Sequence, residues 1–312
     1  MAPGKNRWDA DEYGKLAAFD GDWRDSWWDD GYLGLMAERW RLSEVHRLLD
    51  VGCGVGHWSQ RLSRFLPRDA QIVGVDIEVG FREKALARAD RLGLKGRFEL
   101  REGSAMALPF DDDGFDMVTC QTVLMHLGDP AAAVREMARV CRPGGLVVVA
   151  EPNNFVNSLS YLAAYPRMPW SDLEPYLRFF HVCREGKQAL GEGDGAVGEH
   201  LPELLSAAGL EEVAVRVNDQ CPWLHPPYEQ PRMRTELAQL FQFFDAGVSL
   251  TGGPKDEARR RFLAGGGAEA EFEGLWTHTL RLQHEMKTAI DAGAISAARG
   301  FLHYLAHGRR PR

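Results

Sequence analysis

The chain has 312 residues, of which 45 % are apolar and 26 % are charged, and its formal net charge is −8. These values are ordinary for a soluble globular protein with one large domain or two modest ones. The acidic balance, with no dense basic cluster to offset it, disfavours nucleic acid as a partner.

Cysteine usage and hydropathy indicate the compartment. The five cysteines are scattered, odd in number and never spaced as Cys-x-x-Cys, which argues against a disulfide framework and against a zinc cluster. No run of 18 apolar residues occurs, and the first residues lack the apolar segment of a signal peptide. We therefore expect a reduced, cytoplasmic protein with no metal and no membrane partner.

The first 40 residues are rich in aromatic and acidic side chains, including five of the nine tryptophans: Trp8, Trp23, Trp27, Trp28 and Trp40. So acidic a segment does not form a core alone, so we expect its rings to pack on another part of the chain. The candidates for a lid over a ligand are Trp23, Trp27, Trp28 and Tyr32. Simple packing of the N-terminus onto the core is an equally open alternative.

The organising stretch is residues 48–56, which read Leu-Leu-Asp-Val-Gly-Cys-Gly-Val-Gly. The pattern predicts a buried strand that turns tightly into a helix near residue 57 or 58. Glycines at alternate positions have no Cβ, so a ligand can lie against the backbone. The glycines are Gly52, Gly54 and Gly56.

Two familiar glycine-loop ligands do not fit this stretch. A P-loop ends in Gly-Lys-Ser/Thr, whereas this loop continues as Gly-His-Trp. A dinucleotide fingerprint needs glycine at its sixth position, where His57 stands, and Asp50 would repel a pyrophosphate. What remains is a ligand with a nucleoside and a positively charged or amino-acid portion.

Residues 50–56, Asp-Val-Gly-Cys-Gly-Val-Gly, resemble motif I of the class I S-adenosylmethionine-dependent methyltransferases, of the small-molecule type with a core like methyltransferase domains 11 and 25. The resemblance covers residues 45–155 strongly and residues 200–218 weakly. It implies an enzyme that uses S-adenosyl-L-methionine as its cofactor.

Strand and helix patterns alternate along the rest of the core. Apolar runs predict strands at residues 48–51, 71–76, 97–101, 115–120 and 146–150, with helices between them, and a sixth strand alternates through Val213, Val215 and Val217. This alternation predicts an α/β fold with a doubly wound, mainly parallel, seven-stranded Rossmann-like sheet whose ligands lie at the carboxyl ends of the strands. The family pattern implies that a last, antiparallel strand lies at residues 300–306.

Asp76 ends the second strand, beside the glycine loop, where its carboxylate can accept hydrogen bonds from both ribose hydroxyls. The resemblance implies that residues 102–110 hold the adenine, with Ser104 where the family usually has Asp. The full set of expected cofactor-binding residues is Asp50, Gly52, Cys53, Gly54, Gly56, Asp76, Ile77, Ser104, Ala105, Met106, Gln121 and His126.

Methyl transfer requires in-line placement of acceptor and methyl, and a general base only when the acceptor must lose a proton. The candidates for that base are His126, His181 and Glu151. For His126 packing beside the cofactor is an equal alternative, and Glu151 has a structural alternative.

We predict six segments: an aromatic lid at residues 1–40, a cofactor-binding core at 41–154, a cap insertion at 155–199, a core helix and sixth strand at 200–218, a helical cap insertion at 219–295, and the final antiparallel strand and tail at 296–312. The two insertions carry many rings: Tyr161, Tyr165, Trp170, Tyr176, Phe179, Phe180, Trp223, Tyr228, Phe241, Phe243 and Phe244. We expect them to line an apolar acceptor pocket. Alternatively they fill the cap's own core or a homodimer contact through the cap.

The sequence thus predicts methyl transfer to a small, aromatic or apolar molecule, at an oxygen, nitrogen or carbon atom that the sequence leaves open. The alternatives are a nicotinamide-dependent oxidoreductase, an enzyme that uses the sulfonium without donating methyl, and a non-catalytic regulatory protein that binds the cofactor.

Overall fold

The computed structural model describes residues 22–163, 168–250, 253–298 and 301–312. Two aromatic residues considered above, Trp8 and Tyr165, lie outside these ranges. The side chains of Trp23 and Tyr161 likewise lie outside the described part of the chain.

Within these described ranges, nine strands form two sheets. They are β1 (Arg47–Val51), β2 (Gln71–Asp76), β3 (Phe98–Glu102), β4 (Phe115–Gln121), β5 (Cys141–Pro152), β6 (Glu211–Val217), β7 (Trp223–Leu224), β8 (Ala297–Ala298) and β9 (His303–Arg309). The main sheet has the order β3-β2-β1-β4-β5-β9-β6, and β7 pairs with β8 in a small second sheet. The first five strands, β1 to β5, pair with one another in parallel, whereas β9 runs antiparallel to both β5 and β6. The predicted fold class is therefore confirmed, and the last strand begins three residues later than expected.

In the part of the chain that the structure describes, ten α-helices flank the sheet or form the insertions. They are α1 (Asp30–Trp40), α2 (His57–Leu62), α3 (Arg82–Arg91), α4 (Pro130–Val140), α5 (Asn154–Ala163), α6 (Trp170–Ala189), α7 (Leu201–Ala207), α8 (Pro231–Asp245), α9 (Lys255–Ala264) and α10 (Glu269–Asp291). A 3-10 helix at Asp22–Trp27 precedes α1. Within the described ranges, none of the helices combines the length and apolar character that a membrane span requires.

Local chemistry explains where the core helices begin. Asp129 caps α4 by accepting a hydrogen bond from Ala132 N at 2.9 Å, and Pro130 occupies the first helical position, where its missing N–H costs nothing. Asp29 caps α1 in the same way through Gly31 N at 2.7 Å. These caps fix the directions of two helices relative to the sheet.

Each face of the main sheet is covered by its own apolar layer. One layer packs α1 and α2 on Leu48, Met117 and Val148. The other packs α4 and α7 on the alternate residues of the same strands, such as Leu49 and Val118. Because side chains alternate along a strand, each strand supplies residues to both layers.

The two insertions build a helical cap with its own interior. Phe179, Phe262, Phe272 and Trp276 pack together where α6, α9 and α10 meet. A separate cluster around Leu237 and Met286 joins α8 to α10.

The expectation that the cap's rings line an acceptor pocket is wrong for the rings that are buried within the cap. Phe179 is fully buried among Phe262, Phe272 and Trp276, and Tyr176 is buried against Leu282. The physical reason is that three long helices outside the sheet must bury their own apolar faces before they can present any ring to a ligand.

Candidate cofactor and acceptor site

The glycine loop at residues 52–56 is bound to the neighbouring strand through its backbone. Gly52 N and Cys53 N both donate to the carbonyl of Val75, at 2.7 and 3.1 Å. All three glycines have positive φ, so side chains would strain the turn. A Cβ on Gly52 would lie 2.5 Å from Val123, but a Cβ on Gly54 would meet nothing within 4 Å in the described chain. Gly54 therefore faces open space where a ligand can touch the backbone.

Asp76 supports this loop from the end of β2. Its Oδ2 accepts from Gly54 N at 2.8 Å, and its Oδ1 accepts from Glu78 N at 2.9 Å. Each carboxylate oxygen has a second lone pair, so the side chain can still accept hydrogen bonds from ribose hydroxyls. Burial raises the pKa of Asp76, and the two backbone N–H groups act in the opposite direction.

Two large apolar side chains that follow the ends of β2 and β3 are exposed. Ile77 is 48 % exposed and Met106 is 40 % exposed. Ser104 Oγ accepts from Met106 N at 3.2 Å, which leaves its hydroxyl hydrogen available, and Ala105 packs partly against the core. Exposed apolar groups beside a carboxylate and a hydroxyl suit an adenosine moiety.

Asp50 and Cys53 hold the loop from inside. Asp50 is buried, and its Oδ2 accepts from Ser59 N at 3.2 Å at the start of α2. Burial raises its pKa to about 7, although that hydrogen bond acts against the rise. The Cys53 thiol points at Gly74, where an added Cβ would lie 2.6 Å from the sulfur. Both side chains therefore support the turn.

The three candidate bases lie in different environments. Glu151 is buried, and its carboxylate accepts from Val123 N and Leu124 N at 2.7 Å each and from Met125 N at 3.4 Å. Burial raises its pKa to about 7. Glu151 therefore has a clear structural function, which is to hold the loop after β4.

His126 and His181 differ in burial. His126 closes the short helix after β4 and is half-buried, and desolvation lowers its pKa well below the ordinary value, helped by Lys187 and Arg24. His181 lies exposed on α6 with its ring 6.3 Å from that of Phe155. Gln121, half-buried at the end of β4, faces the same edge of the sheet as the glycine loop. The catalytic assignments of the three candidate bases stay predictions.

The segment before α1 is attached to α3 and to the residue that follows the glycine loop. Asp25 accepts two hydrogen bonds from Arg88, at 2.8 and 2.7 Å, and lies 3.1 Å from His57 Nδ1, directly after the loop. These partners lower the pKa of Asp25 to about 2 despite its burial. The segment thus lies over the start of α2.

Trp28, next to this segment, is part of an aromatic cluster. The sequence does not predict that its members come together. The Trp28 ring lies 5.4 Å from the rings of both Trp58 and His303, and Trp27 and Phe301 pack on His303 at 5.5 and 5.6 Å. We call Trp27, Trp28, Trp58, Phe301 and His303 the aromatic enclosure. The sequence predicts Trp27 and Trp28 as lid candidates and places Trp58 in the helix after the glycine loop, but no local pattern indicates His303.

Comparisons with known proteins agree with this geometry. A methyltransferase-domain family model matches residues 49–149. The chain is 37 % identical over 183 residues to the demethylmenaquinone methyltransferase of Roseiflexus castenholzii, covering 55 % of this chain and 70 % of that one. It is 32 % identical over 157 residues to the uncharacterized methyltransferase YcgJ of Bacillus subtilis, covering 47 % of this chain and 60 % of that one.

A crystal structure from Bacillus halodurans, of a protein provisionally assigned as a methyltransferase, superposes with a TM-score of 0.50 at 17 % identity, covering 90 % of this chain and all of that one. This likeness bears on the fold alone. Against several curated relatives the chain spans between 40 and 60 % of their length.

The chain belongs to the class I S-adenosylmethionine-dependent methyltransferases. S-adenosyl-L-methionine is the cofactor of this family, and the open backbone at Gly54, the Asp76 carboxylate and the exposed Ile77 and Met106 fit it. The family assignment rules out the nicotinamide-dependent oxidoreductase.

Proposed function

We propose that this protein transfers the methyl group of S-adenosyl-L-methionine to a small, quinone-like or phenolic aromatic molecule. The observation that carries the proposal is the aromatic enclosure, which adjoins the glycine loop through Trp58, two residues after Gly56. Five of the relatives that match are named demethylmenaquinone methyltransferases, whose acceptor by that name is a quinone. Both observations support a flat, largely apolar acceptor.

The residues of this chain have separate tasks in such a reaction. When bound, the cofactor supplies an electrophilic methyl group. Its adenosine portion would be held by Asp76, by the glycine backbone and by the side chains of Ile77 and Met106. Glu151 keeps the loop after β4 in place. The aromatic enclosure would orient the acceptor and exclude water. This orientation is the main source of rate acceleration in an in-line displacement.

The test uses the purified chain with cofactor labelled at the methyl group. The acceptor panel contains naphthoquinols, simple phenols, aromatic amines and aromatic acids, with tRNA and bulk protein as controls. We expect labelled product in the quinol or phenol samples. Label mainly in tRNA or protein would contradict the proposal, and a protein that binds the cofactor but labels nothing would support the non-catalytic alternative.

The variant Asp76→Ala serves as the control for site dependence. It removes the carboxylate that accepts from Gly54 N, and it should reduce labelling of every true acceptor in the same proportion. Labelling that is independent of Asp76 would come from a contaminant or from spontaneous transfer.

A further inference from the structure

His303 has a buried side chain in an unusual state. It opens β9 opposite Pro152, the last residue of β5, and is 0 % exposed. Its backbone is fully paired with Asn218, through bonds of 3.1 and 2.9 Å. Among the residues that the structure describes, neither ring nitrogen makes a hydrogen bond of good geometry, although the Ala150 carbonyl lies close enough to the imidazole to act on its pKa. Most buried polar groups have a partner, so this side chain points to a ligand.

Trp28 is in the same state and lies against His303. It is 2 % exposed, and its indole Nε1 also has no hydrogen-bond partner within the described ranges. The Trp28 ring meets the imidazole edge-on, with centroids 5.4 Å apart and planes at 66°. One donor and one imidazole therefore lie side by side among aromatic rings, with Trp27 and Phe301 packed on the imidazole and Tyr32 and Trp58 on the indole.

Two observations connect this pair to the reaction site. Trp28 packs on Trp58, whose Nε1 donates to Thr119 Oγ1 at 2.7 Å in the middle of the sheet. Arg24, in the segment before α1, lies 5.0 Å from the centre of the Trp27 ring, and its positive charge adds to the burial that lowers the pKa of both His303 and His126.

We propose that His303 and Trp28 together bind an oxygen substituent of the methyl acceptor, which makes a hydroxylated aromatic the preferred substrate class. The hydroxyl donates to a ring nitrogen of His303 and accepts from Trp28 Nε1, while Trp27 and Phe301 contact the ring. This inference rests on the proposed function, because it names the group by which that acceptor is recognised. Burial lowers the pKa of His303 to about 4, although the Ala150 carbonyl acts against this, so the imidazole is neutral near pH 7.

The competing explanation is that His303 is only one more ring in an aromatic core. The variant His303→Phe separates the two, because phenylalanine keeps the shape and suits a strand but cannot hydrogen-bond. The matched control is His307→Phe. His307 lies four residues later on the same face of β9, with a buried Nδ1 that lacks a partner in the described chain and a ring 6.1 Å from Trp40. It is at the far end of the strand from the glycine loop.

The probes are 1-naphthol and 1-methoxynaphthalene, titrated calorimetrically into protein saturated with S-adenosylhomocysteine. Wild type should prefer the naphthol, and His303→Phe should lose about tenfold or more of the naphthol affinity, with the ether unchanged. His307→Phe should match wild type. Thermal melts and cofactor titration verify that each variant is folded.

Equal naphthol affinity in wild type and His303→Phe, or no preference for the naphthol in wild type, would overturn the inference. If His303→Phe does not bind the cofactor, Trp28→Phe decides by the same comparison, since it removes the indole N–H, and the lost ring volume should weaken the naphthol and the ether alike. Binding of the naphthol without methylation of any aromatic would leave this inference standing while the proposed function fails.

Discussion

At the scale of single residues, Asp76 is the side chain whose removal should weaken the cofactor most directly. Asp76→Ala deletes the acceptor for ribose and also the bond to Gly54 N, which shapes the loop. We expect cofactor affinity to fall by about 1.5–3 kcal/mol, as for loss of hydrogen bonds to a charged group. Calorimetric titration measures it, and an unchanged affinity would mean that the ribose lies elsewhere.

Gly54 offers a test with a matched control. Gly54→Val and Gly93→Val both place a β-branched residue at positive φ, and a Cβ at either position meets nothing within 4 Å in the described chain. Each should lose about 1–2 kcal/mol of stability from backbone strain. Only Gly54→Val should also abolish cofactor binding, because only Gly54 faces the ligand.

Denaturant unfolding and cofactor titration on the same two variants separate these effects. If Gly93→Val loses cofactor binding equally, the effect of Gly54→Val comes from general destabilisation. Retention of binding by Gly54→Val would make the loop purely structural.

At the scale of elements, the 3-10 helix Asp22–Trp27 is held against the start of α2 by Asp25. Asp25→Asn weakens the contacts to Arg88 and His57, so the segment should open more often and the bound cofactor should dissociate several-fold faster. The control is Asp30→Asn, which removes ion pairs from a more exposed carboxylate to Arg61 and Arg64. Exposed pairs contribute little, so this control should change the rate by less than about twofold.

Stopped-flow displacement of a fluorescent cofactor analogue measures both dissociation rates, and hydrogen exchange of residues 22–40 reports on opening. Equal rates in wild type and Asp25→Asn would show that the segment does not retain the cofactor. The low pKa of Asp25, about 2, also means that its contribution to stability is present above its ordinary pKa and is lost as the pH falls towards 2.

At the scale of the whole molecule, two buried carboxyls should make stability fall as pH rises. The pKa values of Asp50 and Glu151 are both raised to about 7, from ordinary values of 3.8 and 4.5. Between those values the folded protein holds more protons than the unfolded chain, so rising pH favours unfolding. We expect the free energy of unfolding without cofactor to decrease from about pH 5 to pH 7.

Glu151→Gln isolates half of this effect. The amide oxygen can replace Oε1, which accepts the two 2.7 Å bonds, so the loop after β4 should stay in place. Urea unfolding at several pH values should show a smaller decrease than in wild type, and methyl transfer should persist. A loss of turnover of about 10²-fold or more, with cofactor affinity kept, would instead identify Glu151 as the general base.

Much of the fold could be predicted because its signals are local. The glycines at 52, 54 and 56 and the apolar runs that become β1, β2 and β5 depend only on neighbours in the chain. The acid at the end of β2 and the exposed residue after it follow from strand periodicity. Helical periodicity also predicts helices at residues 234–246, 254–263 and 271–292, and α8, α9 and α10 begin and end within three residues of these bounds.

The sequence by itself determined the class of fold, the cofactor loop and the family, since each is indicated by patterns among residues that are close in the chain. Only the tertiary structure decided that Glu151 holds a loop by three backbone bonds and that the cap's rings mostly pack on one another. It alone brought His303 to Trp28, from opposite ends of the chain. The reason is physical: that contact depends on the antiparallel register of β9 against β5 and on where the N-terminal segment lies, and no local pattern encodes either.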